Sequence, residues 1–411
     1  MKRYSAYDPP EYVNWQPDAA VLAEFRATPA ADPERLKVIN CLGTADLLAI
    51  YEGLLRNRLH DVTLKRWVKQ GVISKAWLGT GEEAATIGPM HALDRGRFGD
   101  GRPVDVVAPM IRNAGACHEM GMPVADMLRG YLGTSDSPTH GRDLHVGNFD
   151  FGALTPISHL AEMVPIAAGI ALSFKLKKQP RVAMTWVGDG ATKTGSFHEG
   201  MGFAAAMRLP LIVIIQNNQV ALGTRLDQYH KGSFASLCPS YGVEGWGFDG
   251  NNVLDAYAAV KIAADRARAG ESAGPFLLVA NTFRMGGHAT HDEREARKTL
   301  APELFEFWGK RDPIGVYERY LIEGTLNLDS GKTSKRTGNF DDANAQVLNE
   351  IEEKVIAEIE QSEREALQSR ESRMPLPESA LGGVVDAGVV DDGVLDDKDE
   401  RPLEKSTVGA Q

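Results

Sequence analysis

A chain of 411 residues with a formal net charge of −11 can bury one large core or two modest ones, and its composition is ordinary for a globular protein. The acidic balance argues against a nucleic-acid-binding surface, and no apolar run approaches the about 20 residues that span a membrane. The first ten residues lack the apolar centre of a signal peptide, and the three cysteines, Cys41, Cys117 and Cys238, are too far apart for a disulfide framework or a zinc site. A cytoplasmic, reducing location is therefore expected.

Residues 1–43, rich in proline, alanine and acids, read as an N-terminal arm packed on a neighbour or partly loose, with Trp15 and Phe25 as possible anchors. Thr44 is placed as the cap of a helix running to about Gln70. Leu47, Tyr51, Leu54, Leu55, Leu59 and Val62 recur there at helical spacing, and Gly71 suits the left-handed residue after the last turn. Gly81-Glu82-Glu83-Ala84-Ala85 opens a second helix. A short strand is expected at 104–107, with Arg112 after it, and Pro123 is placed at the first position of a helix over 124–132. Residues 133–159 read as loop, and the spacing of His140, His145 and His159 does not match a helical metal pair. A helix of small residues over 160–178 suits close packing on a sheet.

An apolar strand over 182–187 then runs into the acidic turn Gly188-Asp189-Gly190. A helix, a second apolar strand over 211–216 and the paired amides Asn217-Asn218 follow. Residues 223–247 form a glycine-rich connection. Asp249-Gly250-Asn251-Asn252 turns into a helix to about Ala269. Residues 276–280 form a buried strand, with 282–292 just beyond its carboxyl end. Asp312-Pro313 starts another helix. Residues 326–342 read as a linker, 343–374 as a charged C-terminal helix and 375–411 as a disordered acidic tail. The alternation of strands and helices predicts one α/β domain over 44–325, a doubly wound parallel sheet with flanking helices.

In such a sheet, ligands sit beyond the carboxyl ends of the strands. Asp189 and Asn218 both follow strands, so both can reach one ligand. Their hard oxygens suit Mg²⁺, which takes its remaining ligands from phosphates and water. The glycines of the turn let backbone approach a phosphate. Gly-Asp-Gly alone is more often a plain turn. With paired asparagines, Asn218 lying 29 residues after Asp189, and an apolar strand before each, it resembles the thiamine-diphosphate motif.

The stretch from Gly188-Asp189-Gly190-Ala191-Thr192-Lys193-Thr194-Gly195 to Asn218 resembles the alpha subunit of the thiamine-diphosphate-dependent 2-oxoacid dehydrogenases. The resemblance extends over about 44–325. It takes in Gln70-Gly71-Val72-Ile73, Gly81-Glu82-Glu83-Ala84, Arg112, Pro165 with the alanine-rich helix, Asp249-Gly250-Asn251 and the stretch from Arg284 to Asp292. The final helix and Pro375-Leu376-Pro377 also look like the family. The resemblance implies a thiamine diphosphate-binding fold in which Asp189, Asn218 and the carbonyl of Val220 ligate Mg²⁺; the family usually carries an aromatic residue at 220.

By the same resemblance, Arg112 grips the diphosphate, where guanidinium geometry suits phosphate. Ile111 stands where the family commonly has tyrosine. Gly188, Gly190 and Ala191 line the same group, with Gly190 and Ala191 offering N–H donors. The backbone at Ser158 and Leu160 faces the aminopyrimidine ring. His288 is the implied catalytic histidine, orienting the reacting group and protonating a dithiolane sulfur; His291 lies at a variable position. Ala289 replaces a serine that is phosphorylated in animal relatives, so that switch is not expected here.

The carboxylate that activates thiamine lies on a separate beta subunit in this family. The chain is therefore expected to carry half an active site, in an α₂β₂ heterotetramer that serves a lipoyl-bearing acyltransferase. The substrate is a small 2-oxoacid. Gly81-Glu82-Glu83 leans toward the branched-chain relatives and residues 167–172 toward the pyruvate relatives, with Trp77 and His159 as candidate pocket walls. An acetoin dehydrogenase alpha subunit and a non-enzymatic phosphate- or cofactor-binding subunit stay open. A nucleotide binder would want G-x-x-x-x-G-K-[ST], which does not occur.

Overall fold

Strands apolar at every position must be covered on both faces. The computed structural model, which describes residues 1–101, 103–269, 274–324, 328 and 341–381, shows how this is met. Its strands are β1 (Val106–Ala108), β2 (Ala183–Gly188), β3 (Leu211–Asn217), the short pair β4 (Val220–Ala221) and β5 (Thr224–Arg225), β6 (Gly247–Asp249) and β7 (Phe276–Asn281). Five of them form one parallel sheet in the order β1-β2-β3-β7-β6, while β4 and β5 pair as a separate antiparallel ribbon. Met184, Trp186, Ile212, Ile214 and Leu278 face the helices Glu83–His91 and Val253–Ala269. The alternate residues Ala183, Val187, Val213, Ile215 and Leu277 face the helices Met163–Leu176 and Gly195–Met207. The sheet is thus doubly wound, as the sequence predicts.

A third core forms beside the sheet around the helix Thr44–Lys69. Gly43, rather than Thr44, caps that helix: its N–H donates to Asp46 Oδ2 at 2.8 Å, which leaves Thr44 inside the first turn. Gly71 takes φ 72° after the last turn, as expected.

The N-terminal segment packs on its own chain. It forms the helices Pro10–Val13, Ala19–Ala30 and Pro33–Ile39, and Val21, Leu22 and Phe25 enter the third core. Asp18 and Asp32 cap the latter two helices. Tyr12, rather than Trp15, is the fully buried anchor of the first helix. The helix Asp341–Ser372 adds Leu348, Val355, Ile359 and Ala366 to the same core.

Two other helix starts move. The small-residue helix begins at Met163 because Ala161 adopts φ 62°, which no helix accommodates. Pro123 is the cap before Val124, with extended ψ 139°, not the first helical residue. Most of the expected linker (326–327 and 329–340) and the tail from 382 lie outside the described residues; Pro377–Leu381 form a short 3₁₀ turn.

One buried ionic knot joins four distant parts of the chain. The fully buried Arg58 meets Glu83, lies 3.0 Å from Asp312 and 3.7 Å from Asp8, and stacks 4.7 Å above the Tyr12 ring. Glu83 also accepts the Gly81 N–H at 2.8 Å, so the knot fixes the turn that enters the second helix. Removing one partner of such a cluster leaves buried carboxylates without their cation. Arg58→Ala should therefore cost about 3–5 kcal/mol in chemical denaturation. A loss no larger than the about 1 kcal/mol of a surface pair would contradict this role.

Candidate active site

Parallel pairing brings the strand ends level. Gly188 stands opposite Gln216 and Asn217 opposite Asn281, so the segments after β2, β3 and β7 leave the sheet at one edge. Arg112 follows β1 at the same edge. The structure gathers Asp189, Asn218, Val220, Arg112 and His288 there from four stretches of sequence.

Asp189 is only 2% exposed. Its Oδ1 accepts the Gly190 N–H at 2.7 Å and its Oδ2 the Gln219 N–H at 2.8 Å. Burial pushes its carboxyl above the usual range, against those two hydrogen bonds, and the same burial, with the Asp189 charge, pushes the Tyr229 phenol up. Asn218 and Val220 are also buried, and the Val220 N–H points to Asn218 Oδ1 at 3.4 Å. The backbone turns tightly through and just after them: Gln219 and Leu222 take φ 70° and 55°. Gly190 must be glycine, because a Cβ there would lie 2.4 Å from Ala221 Cβ.

Arg112 reaches across to the loop beyond β7. Its Nη1 donates to the His288 carbonyl at 2.7 Å and its Nη2 to His288 Nδ1 at 2.9 Å. A guanidinium only donates, so Nδ1 is the acceptor and the neutral ring carries its proton on Nε2. Arg284 lies beside them, 1% exposed, and among the described residues it donates only to the carbonyls of Leu222 at 2.9 Å and Gly286 at 3.3 Å. Burial, then the neighbouring Arg112 charge, brings Arg284 down to about 10. Burial, then Arg112 and Arg284, brings His288 down to about 4. Neither Gly286 nor Gly287 in this loop has positive φ, and a Cβ on Gly287 would lie 2.3 Å from Asp292 Oδ1.

Among the described residues, Asp189 has no cationic partner, and neither Arg112 nor Arg284 pairs with a carboxylate. Asp189 and the two arginines thus stand buried at one edge with no ion pair between them, and the carboxylates of Glu82 and Asp292 act on the arginines only from beyond ion-pair distance. That arrangement suits a ligand carrying a cation at one point and a multiply charged anion at another. The other expected positions lie at the rim. The Leu160 carbonyl is 3.4 Å from Thr194 Oγ1, at the end of the turn after Asp189, and Ser158 Oγ is 3.1 Å from His145 Nε2. Ala191 is buried in the turn itself and Gly188 ends β2. His159 and His291 are exposed, and Trp77 sits under Lys75.

Glu82 belongs to the site, although the sequence shows it only as one acid in a helix-opening motif. It is 0% exposed, and its Oε1 accepts Gln216 Nε2 at 2.6 Å and Asn218 Nδ2 at 2.9 Å. Two acids at a helix start read as a solvated first turn, and nothing in the local pattern shows that both are buried. Arg284 was equally hidden inside a loop motif.

The fold and these charges define an α/β protein with a cofactor-type site at the carboxyl edge of its sheet. Comparison narrows this. Residues 53–373 match the dehydrogenase E1 component family. The chain is 33% identical over 294 residues to the 2-oxoisovalerate dehydrogenase subunit alpha of Bacillus subtilis, covering 70% of this chain and 86% of that one. It is 30% identical over 298 residues to the mitochondrial 2-oxoisovalerate dehydrogenase subunit alpha of Mus musculus, covering 72% and 63%. It is 30% identical over 277 residues to the pyruvate dehydrogenase E1 component subunit alpha of Acholeplasma laidlawii, covering 67% and 75%. The chain belongs to the dehydrogenase E1 component family, whose enzymes are thiamine-diphosphate-dependent oxidoreductases.

The histidine environment makes a pH prediction. The folded His288 value of about 4 lies below the ordinary 6.5, so the unfolded chain takes up this proton first. Stability from this group is intact above the ordinary value and is lost as pH falls toward the folded one. Nitrogen-resolved NMR of the cofactor-free chain should show neutral His288 protonated on Nε2 at neutral pH. Arg112→Gln should move its titration upward. A wild-type midpoint in the ordinary histidine range would contradict the contact.

Proposed function

We propose that the chain is the alpha half of a 2-oxoacid dehydrogenase that decarboxylates pyruvate or a branched-chain 2-oxoacid and passes the acyl group to a lipoyl group. The observation that carries this reading is the pair of opposite buried charge deficits at one sheet edge. Asp189, Asn218 Oδ1 and the Val220 carbonyl would hold Mg²⁺, and Arg112 with the Gly190 and Ala191 N–H groups would hold the diphosphate of thiamine diphosphate. When bound, thiamine diphosphate supplies the carbon nucleophile and electron sink for decarboxylation.

The chain's own residues then bind, orient and move a proton. Arg112 anchors the loop of His288 through the His288 carbonyl. An anion on Arg112 and Arg284 offsets their charges, which add to burial in depressing His288, and so raises its proton affinity toward the range a general acid needs. His288 then protonates the sulfur released as the dithiolane opens.

An E1 alpha subunit implies a beta subunit; we place the two in an α₂β₂ assembly serving a lipoyl-bearing acyltransferase. Exposed apolar residues support a covering partner. Leu160 (63% exposed) and Leu222 (61%) flank the site, and Ile166, Phe203 and Met207 stand out from the two helices behind it. The free thiols of Cys41, Cys117 and Cys238 agree with a reducing cytoplasm.

Asp189→Ala should abolish Mg²⁺-dependent binding of thiamine diphosphate to the reconstituted complex while leaving its circular dichroism intact. Calorimetry giving an unchanged affinity would refute the metal assignment. His288→Ala should lower the lipoamide-dependent rate by about 10²–10⁴-fold. The rate with an artificial electron acceptor, which bypasses the dithiolane, should fall less. Equal losses would move His288 to the decarboxylation step, and no loss would remove it from the chemistry. Running the lipoamide assay with pyruvate, 3-methyl-2-oxobutanoate and acetoin identifies the substrate.

A further inference from the structure

We infer that Glu82 is a positioning residue that sets which atom of Asn218 faces the metal. The inference rests on the site reading above. An asparagine amide has two nearly isosteric ends, an oxygen that can ligate a cation and an NH₂ that cannot. A metal ligand of this kind therefore needs something to hold its orientation.

The hydrogen bonds around Glu82 have one direction. Asn113 Nδ2 donates to Gln216 Oε1 at 3.0 Å, and Gln216 Nε2 donates onward to Glu82 Oε1 at 2.6 Å. From the other side the Val220 N–H points to Asn218 Oδ1 at 3.4 Å, and Asn218 Nδ2 donates to the same Glu82 Oε1 at 2.9 Å. Two chains of amides thus end on one carboxylate oxygen. Turning Asn218 over would place its carbonyl oxygen against that carboxylate and its NH₂ against the Val220 N–H, losing both contacts and opposing like partial charges. Glu82, Gln216 and Asn218 are all buried, so water does not compensate for a wrong orientation.

The network also spans the site. Asn113 adjoins Arg112, and its Nδ2 is further held by Thr86 Oγ1 at 2.7 Å on the helix that Glu82 precedes. Glu82 therefore ties the segment that carries the anion-binding arginine to the amide that faces the cation. Its Oε2 is buried with no hydrogen-bond partner among the described residues. Among the described residues, the hydrogen bonds that the Glu82 side chain accepts are thus all made through Oε1. Outer partners of metal ligands act in this way, and their loss typically costs about 10–100-fold in metal affinity.

The test uses Mn²⁺ as a probe, its free concentration read by EPR in the presence of thiamine diphosphate, on the full chain reconstituted with its beta subunit. Glu82→Ala should weaken Mn²⁺ binding by about 10–100-fold, whereas Glu82→Gln, whose carbonyl can still accept from the amides, should keep most of the affinity. The deciding arm is the Asn218→Asp background, where both side-chain ends are oxygen and orientation no longer matters. There Glu82→Ala should cost nothing or improve binding. An equal loss in both backgrounds would make Glu82 a merely structural residue, and no loss in the wild-type background would also overturn the inference. Asp189→Ala is the control for the underlying reading. If it leaves Mn²⁺ affinity unchanged the metal site itself is wrong; if it abolishes binding while Glu82→Ala does not, only the role of Glu82 fails.

Discussion

The constraint on which the rest depends is the level parallel register of β2, β3 and β7. With Gly188 paired to Gln216 and Asn217 to Asn281, residues up to 93 positions apart in sequence (281 − 188) leave the sheet at one edge and face one space. Parallel strands require coverage on both faces, and the two helix layers supply it. That coverage makes the edge dry, and in a dry edge unpaired charges are costly. The site is an outcome of that geometry: Asp189 on one side, Arg112 and Arg284 on the other, each too buried to be served by solvent.

Such an arrangement is unfavourable by itself and stores a demand for a ligand of matching charge. The structure meets the cost elsewhere, in its apolar cores and in the Arg58 knot. The knot also reaches the site. Glu83, held by Arg58, accepts the Gly81 N–H, and the next residue along, Glu82, is the one that receives the amides of Gln216 and Asn218. The N-terminal segment, through Asp8 and Tyr12, is part of that support rather than an appendage.

The sheet and its helices were legible in the sequence because both signals are periodic: unbroken apolar strands and helical spacing of leucines and alanines. The motif ends were legible because Asp189 and Asn218 sit directly after such strands. Glu82 and Arg284 were not, because their importance lies in partners 134 and 62 residues away that local pattern does not display. Burial of the N-terminal segment was hidden for a similar reason. A proline-, alanine- and acid-rich stretch looks extended until Phe25 and Tyr12 find their places against Tyr320 and Arg58.

The central claim is that this chain presents one side of an active site whose other side is a beta subunit. The direct measurement is turnover of a 2-oxoacid with an artificial electron acceptor, thiamine diphosphate and Mg²⁺, by the purified chain alone and after adding its beta subunit. The account predicts no turnover from the chain alone and activity that appears in proportion to added beta subunit until the two are equimolar. Robust turnover by the chain without any partner would contradict it.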